Sequence, residues 1–332
     1  MAKPSILLVT ALLFGGLLSV AQSQPKQTVS VLINVLDQNG SAVPDLGKEH
    51  FQAKINGRPV DLVGASYSFG PRRIVVLLDM RYSMKGESIN NAWSIARDVL
   101  GDVLTEIPTG SQVALLTFSS QVDKVADFSQ GRPAIEYWLK HGPSQRSDFK
   151  EPTKIHAEDP RRKYTGLLDA VSEAAKPLQP SQPGDVVCVI TRGGEGYSDV
   201  SKADVEKQLL GHGIRLFGFL FVNDVRFEGE PIPPSPIVEL AHEIGGTVFS
   251  IPGREGLRSR VEFYEGDKTR EKIRLYARDF SAQVSGFYTL ELDAHVPAGK
   301  LSRVSAEIAK NNRTVRKNVS LAYQRLLLTP DH

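Results

Sequence analysis

Hydrophobic and polar positions recur with two different periods along this chain, and the changes of period divide it. From residue 27 to about residue 69 the period is two. Val29, Val31, Ile33 and Val35 share one face of a strand over residues 28–36, the alternation of a sheet buried on one side. Asp37-Gln38-Asn39-Gly40 is a turn, and residues 51–55 form a second strand. Asn56-Gly57 then predicts a hairpin, because both residues tolerate positive φ, with residues 60–67 as the return strand. A unit of this size buries little apolar surface alone and must pack on something else.

From residue 71 to about 252 short apolar runs alternate with stripes of helical period. Residues 74–78 are unbroken Ile, Val and Leu, the pattern of a strand buried on both faces of a parallel sheet. A helix over about 87–106 follows, with Ile89, Ala92, Trp93, Ala96, Val99, Leu100 and Val103 on one stripe. Further strands are expected at 112–119, 185–191, 214–222 and 247–251, with an edge strand at 121–128. Helices are expected at 133–141, 165–178, 202–212 and 237–244, and polar, Pro-containing loops at 142–163 and 223–236. This order predicts an α/β fold with a doubly wound, mostly parallel sheet. Residues 255–284 read as helical again. Three strands follow at 287–292, 302–309 and 314–322, and these are expected to join the first β segment in one small β sandwich. The organisation is thus a leader over 1–23, a β segment over 24–70, an α/β domain over 71–254, and a helix plus β segment over 255–332.

The leader sets the compartment. Lys3 precedes an apolar run over 6–20, and Ala21-Gln22-Ser23 has small residues at the spacing a signal peptidase reads. The expectation is secretion or export to a periplasm with cleavage after Ser23, and no stable membrane span after signal removal. The alternative is an uncleaved anchor, for which the run is short. The 40 basic and 38 acidic residues leave a net charge of +2, which gives no warrant for nucleic acid as a partner. The single cysteine, Cys188, falls within an apolar strand and reads as a small core residue. It excludes an intramolecular disulfide and a cysteine zinc site.

Candidate chemistry gathers where the run 74–78 ends, on Asp79, with the hydroxyl of Ser83 four residues on. Open α/β sheets bind ligands at the carboxyl ends of their strands. No Gly-x-Ser-x-Gly elbow, His-Glu-x-x-His pair or Walker sequence occurs in the chain. Gly193-Gly194-Glu195-Gly196 lacks the dinucleotide pattern and reads as a strand-to-helix loop. The chain is therefore expected not to be an enzyme. A hydrolase on the same fold, with a nucleophile at Ser83 or Thr165, is the lesser alternative, since no histidine lies near either in sequence.

Residues 72–252 resemble a von Willebrand factor A-type domain. In that family a metal-ion-dependent adhesion site is written Asp-x-Ser-x-Ser after the first strand, a Thr in a later loop, and an Asp after the fourth strand. Here the first element reads Asp79-Met80-Arg81-Tyr82-Ser83, the Thr matches Thr165 in Lys163-Tyr164-Thr165-Gly166, and the last reads Ile190-Thr191-Arg192-Gly193-Gly194. The flanks, Val35-Leu36-Asp37-Gln38-Asn39-Gly40 and Gly286-Phe287-Tyr288-Thr289-Leu290, are similar to those of secreted bacterial VWFA-related proteins best known from acidobacteria. The resemblance implies an adhesion-type module that binds an acidic side chain of a protein partner.

Two of the five positions depart from the pattern: Arg81 stands for a ligating serine and Arg192 for the aspartate. Mg²⁺ requires hard oxygen ligands, and arginine offers no acceptor while keeping its charge. The metal set would shrink to Asp79, Ser83 and Thr165, a degenerate site expected to hold no cofactor. An arginine could take the metal's place and pair with Asp79 in a fork geometry. The expected partner-binding surface is Asp79, Arg81, Ser83, Thr165 and Arg192, without metal. A divalent-cation-dependent adhesion domain, with Mg²⁺, is the alternative.

Overall fold

The computed structural model describes residues 27–81, 84, 92–119, 121–142, 166–195, 198–223, 235–255, 261–262, 266–294, 296, 299–309 and 318–328. The leader, Ser83, Thr165 and nearly all of the two long polar loops lie outside the described residues. Among those described, no helix is long and apolar enough to cross a membrane.

The α/β body is built on a seven-stranded mixed sheet. Its inner strands are β4 (Arg73–Asp79), β5 (Gln112–Phe118), β7 (Val186–Thr191), β8 (Arg215–Asn223) and β9 (Val248–Glu255), all parallel to their inner neighbours in the order β9-β8-β7-β4-β5. Each edge is antiparallel: β6 (Val122–Ala126) on β5, and the two-residue β10 (Val261–Glu262) on β9. Alternate residues of β4 enter different cores. Ile74, Val76 and Leu78 pack with helices α1 (Ala92–Glu106), α2 (Gly131–His141) and α6 (Gly266–Ser285). Val75 and Leu77 pack with α3 (Leu167–Ala175), α4 (Lys202–Gly211) and α5 (Pro236–Glu243). Every residue from Ile74 to Leu78 is fully buried, which is why the run is apolar without alternation. Trp93 is in the core, in edge-on contact with Trp138, their ring centroids 6.0 Å apart. Cys188 is buried in mid-strand, where loss of solvation pushes its thiol pKa up.

Two expectations are corrected. Glu255, Val261 and Glu262 are not helical, since β9 runs on to Glu255 and pairs there with β10. A strand of two residues carries no readable period. Helix α6 begins only at Gly266, and its Ile273, Ala277, Phe280 and Val284 belong to the core of α1. The helix therefore packs as part of the α/β body.

The β segments also differ from a two-sheet sandwich. They form one antiparallel sheet of seven strands in the order β13-β1-β11-β3-β2-β12-β14. These are β1 (Gln27–Asp37), β2 (Phe51–Ile55), β3 (Arg58–Phe69), β11 (Gly286–Ala294), β12 (Leu301–Ile308), β13 (Val319–Tyr323) and β14 (Leu326–Leu328). The long β3 serves both halves, pairing with β2 at its start and with β11 from Asp61 to Phe69 across a register shift at Glu291/Leu292. The sheet curls so that Val31 and Ile33 of β1 share a core with Phe51 of β2 and Val304 of β12. The turn between β2 and β3 is the one expected, with Asn56 at φ 49° and Gly57 at φ 79°.

The α/β body is thus inserted between β3 and β11, and the two crossings lie side by side: Phe69 pairs with Gly286. A polar joint fastens the units. Asn34 of β1 donates to the carbonyls of Gln283 and Gly286, both at 2.6 Å. Arg215 of β8, 2 % exposed, donates to Asn34 Oδ1 and to the carbonyls of Gln283 and Val284 at 2.9–3.2 Å. Helix carbonyls of a last turn lack intrahelical partners and carry partial negative charge. They balance this buried cation, which also lies over the Phe287 and Phe217 rings.

Candidate functional site

The sheet brings three chain segments together at the carboxyl end of β4. Leu78 pairs with Ile190 of β7, and Asp79 pairs with Phe118 of β5. Asp79 is therefore flanked by Thr191 on one side and by an aromatic ring on the other, and it is 0 % exposed.

A buried carboxylate requires compensation, and Asp79 receives it from four donors. Its Oδ1 accepts from the backbone N–H of Arg81 at 2.9 Å and from Arg81 Nε at 3.0 Å. Its Oδ2 accepts from Arg81 Nη2 at 2.8 Å and from the Thr191 hydroxyl at 2.7 Å. Arg81 thus folds back on the carboxylate two residues before it, with two parallel N–H···O bonds, the strongest pairing open to these groups. Its third nitrogen, Nη1, donates to the Gly194 carbonyl at 2.9 Å. The guanidinium lies 4.9 Å from the Phe118 ring centroid, a favourable cation–ring placement.

The Gly193-Gly194-Glu195 stretch is fastened to this arrangement. Gly193 N–H donates to the Thr191 hydroxyl at 2.9 Å, with φ at 75°. A side chain at this position would run into Leu220 and Ser235. Glu195 and Ser198 take the N–H of Leu168 in the first turn of α3, each at 3.0 Å. A carboxylate at a helix N-terminus satisfies orphan donors and complements the helix dipole. The sequence reading treated this stretch as a plain connecting loop. Its fastening depends on which carbonyl and which N–H groups the sheet register brings close.

Of the five residues expected in the site, Asp79 and Arg81 meet directly. Arg192 follows Thr191 and is half-buried. Lost solvation pushes its pKa down, while the Asp79 charge pulls it up. Ser83 and Thr165 lie outside the described residues. One role changes. Arg81 was expected to face a partner, but it is 6 % exposed and its fork is engaged by Asp79, so it supports the site from within. Thr191, Phe118 and Gly194 were not singled out from the sequence.

Among the described residues, both Asp79 oxygens face guanidinium nitrogens, which donate and cannot ligate a divalent cation. Among the described residues no group of three or more His, Cys, Asp or Glu side chains could hold a metal ion.

No protein-family model and no curated protein matches the chain. Solved structures similar to it are von Willebrand A domain structures. One is the von Willebrand factor type A protein from Catenulispora acidiphila, at 10 % identity over 94 % of this chain and 75 % of that one, with a TM-score of 0.42. Another is an aerotolerance-related membrane protein from Bacteroides fragilis, at 14 % identity over 65 % and 98 %, TM-score 0.43. A third is proximal thread matrix protein 1 from the mussel byssus, with a zinc-occupied MIDAS motif, at 15 % identity over 70 % and 50 %, TM-score 0.43.

Proposed function

We propose that the chain is a secreted, non-enzymatic protein-interaction module of the adhesion type. Its contact surface is the carboxyl end of the α/β sheet around Asp79, and a guanidinium replaces the divalent cation there. The observation that carries this reading is the two-point pairing of Arg81 with the fully buried Asp79. The resemblance of Asp79-Met80-Arg81-Tyr82-Ser83 to an adhesion-site pattern supports the interaction role, and the doubly wound reading of the sheet is consistent with it.

The division of labour follows from exposure. Arg81 neutralises Asp79 from inside. Arg192, the second arginine of the altered pattern, is half-buried, and its guanidinium is the group proposed to take an acidic side chain of a partner in two hydrogen bonds. Against an enzyme stands the position of Thr191. It is the one described hydroxyl bonded to Asp79, and at 0 % exposure it meets no substrate.

The test is unfolding of the chain from Gln24 to His332 in Mg²⁺, Mn²⁺ or Ca²⁺ against chelator. A cation bound only to the folded state at a hundred times its dissociation constant would add about 2.7 kcal/mol. Coincident curves are expected. A saturable rise that disappears in Asp79→Ala would establish a metal-dependent site and overturn the proposal. In the same preparation, affinity for a glutamate-rich peptide should fall in Arg192→Glu.

A further inference from the structure

Strand β13 ends the curled sheet, and among the described residues nothing pairs with its outer side. The inner side is taken by β1, with Ile33 opposite Tyr323 and Val35 opposite Leu321. Gln324 N–H donates to the Leu32 carbonyl, so that pair is a hydrogen-bonded one. Such pairs alternate along an antiparallel ladder. The N–H and C=O of Leu321 and the N–H of Tyr323 therefore point away from β1.

They point into a groove of about 610 Å³ between β13 and α5. The far wall is α5, where Val238 is 40 % exposed. Such an edge is ordinarily blunted by charge, proline or a covering element. Here α5 faces the edge across the groove and shields it from a second sheet.

One end of the groove is closed. Just past Tyr323, Gln324 bridges to Ile244, and Arg325 N–H donates to the Glu243 carbonyl at 2.7 Å. An added strand must stop there. Two nitrogen side chains flank the stop: His242, exposed in the last turn of α5, and Arg325, whose guanidinium lies 5.5 Å from the Tyr323 ring centroid. At the other end the Ser235 hydroxyl lines the groove, buried and without a partner among the described residues. From Ser235 to His242 the helix wall runs about 12 Å at 1.5 Å per residue, the length of about four extended residues.

We propose that this groove binds the carboxyl-terminal residues, about four, of a partner polypeptide, added beside β13 as an eighth strand and running parallel to it. Backbone pairing to Leu321 and Tyr323 supplies the affinity, Val238 receives an apolar side chain, and the terminal carboxylate sits at the closed end between Arg325 and His242. Three observations choose this occupant: an edge that only an extended backbone satisfies, a length of a few residues, and a guanidinium beside an imidazole at a dead end, where a chain terminus fits and a continuing chain does not. The groove includes none of Asp79, Arg81, Phe118, Thr191 and Arg192, with only Ser235 bordering Gly193, and stands or falls separately from that site.

The experiment uses the whole chain and an immobilised peptide library with four randomised last positions and free carboxyl termini, with the same library as carboxamides. Enrichment of alternating apolar sequences is expected from the free acids alone. For a peptide so selected, amidation should weaken binding about tenfold or more, the scale of a hydrogen bond to a charged group. N-methylation at the positions facing Leu321 should weaken it about two- to tenfold per bond lost, and N-methylation at the alternate positions should not. The N-methyl series needs no protein variant, so a misfolded Arg325→Glu would not blunt the test. No enrichment, equal binding of acid and amide, or insensitivity to N-methylation overturns the proposal. So does self-association of the chain that Leu321→Pro abolishes, which would make the edge an interface between copies.

Discussion

The Asp79–Arg81 pair makes a quantitative prediction because neither partner reaches water: Asp79 is 0 % and Arg81 6 % exposed. Removing one member of such a pair leaves the other charged, buried and unmatched, at a cost of about 3–5 kcal/mol. Arg81→Met removes two of the four donors to the carboxylate and the donor to Gly194. Asp79→Asn keeps the shape and leaves the guanidinium without its counter-charge. Each single variant should lose about 3–5 kcal/mol. The double variant leaves neither charge stranded and keeps the Thr191 hydroxyl and the Arg81 N–H as partners for the new amide. It should lose no more than either single variant, a coupling of about 3 kcal/mol at the upper end for contacting residues. Trp93, inside the same core, reports unfolding by fluorescence. With a urea slope of about 3 kcal/mol per molar, the single variants should shift the midpoint by about 1–1.7 M. Additive losses within about 0.5 kcal/mol, or single losses like those of a surface pair, about 1 kcal/mol or less, would refute the reasoning.

Three further outcomes are expected. Arg81→Ser with Arg192→Asp restores the adhesion-site pattern and should make unfolding sensitive to Mg²⁺ or Mn²⁺, by about 2.7 kcal/mol at a hundredfold excess over the dissociation constant; no response would mean that more than these two arginines blocks the metal. Asn34→Ala leaves the Gln283 and Gly286 carbonyls and Arg215 short of partners, and should cost about 2–4 kcal/mol, read by urea unfolding. Burial, and then the neighbouring Glu243 charge, push Glu206 up to about 6 from an ordinary 4.5. The folded chain then binds this proton more tightly than the unfolded one, so stability falls as pH rises from 4.5 to 6 and the cost is complete above. Glu206→Gln should raise the urea midpoint near pH 7.5 and leave it unchanged near pH 4; an equal gain at both would assign the effect to packing instead.

What could be read in advance depended on whether the information was local. The buried run at 74–78, the alternation of β1 and the Asn56-Gly57 turn each lie within a few consecutive residues, and their physical signals are strong. Asp79 and Arg81 were legible for the same reason, being neighbours at a strand end, and a fork between them was a foreseeable alternative to a metal. Thr191, Phe118 and Gly194 were not, because their place beside Asp79 follows from the register of β4 with β7 and β5. The three-residue β14 and the two-residue β10 are too short to show a period. The same limit hid β10: Val261 falls at helical spacing with Leu257 and Tyr264 in the sequence but lies in a strand.

The side-by-side crossings at Phe69 and Gly286 bear on how the protein would carry a load. Strand β1 lies between β11 and β13, so tension applied at Gln27 and Leu328 enters through the curled sheet, which is tied to the inserted body at the β3–β11 crossings and again at Gln324–Ile244 and Arg325–Glu243. The inserted body is continuous with two adjacent strands, β3 and β11, and is held besides by those two backbone contacts. Under pulling, the β ladders should part first while the Asp79 end keeps its geometry, and a pulling trace should show the smaller unit yielding before the larger. Anchored at its ends, such a chain would present its binding face unstrained until the anchor itself gives way.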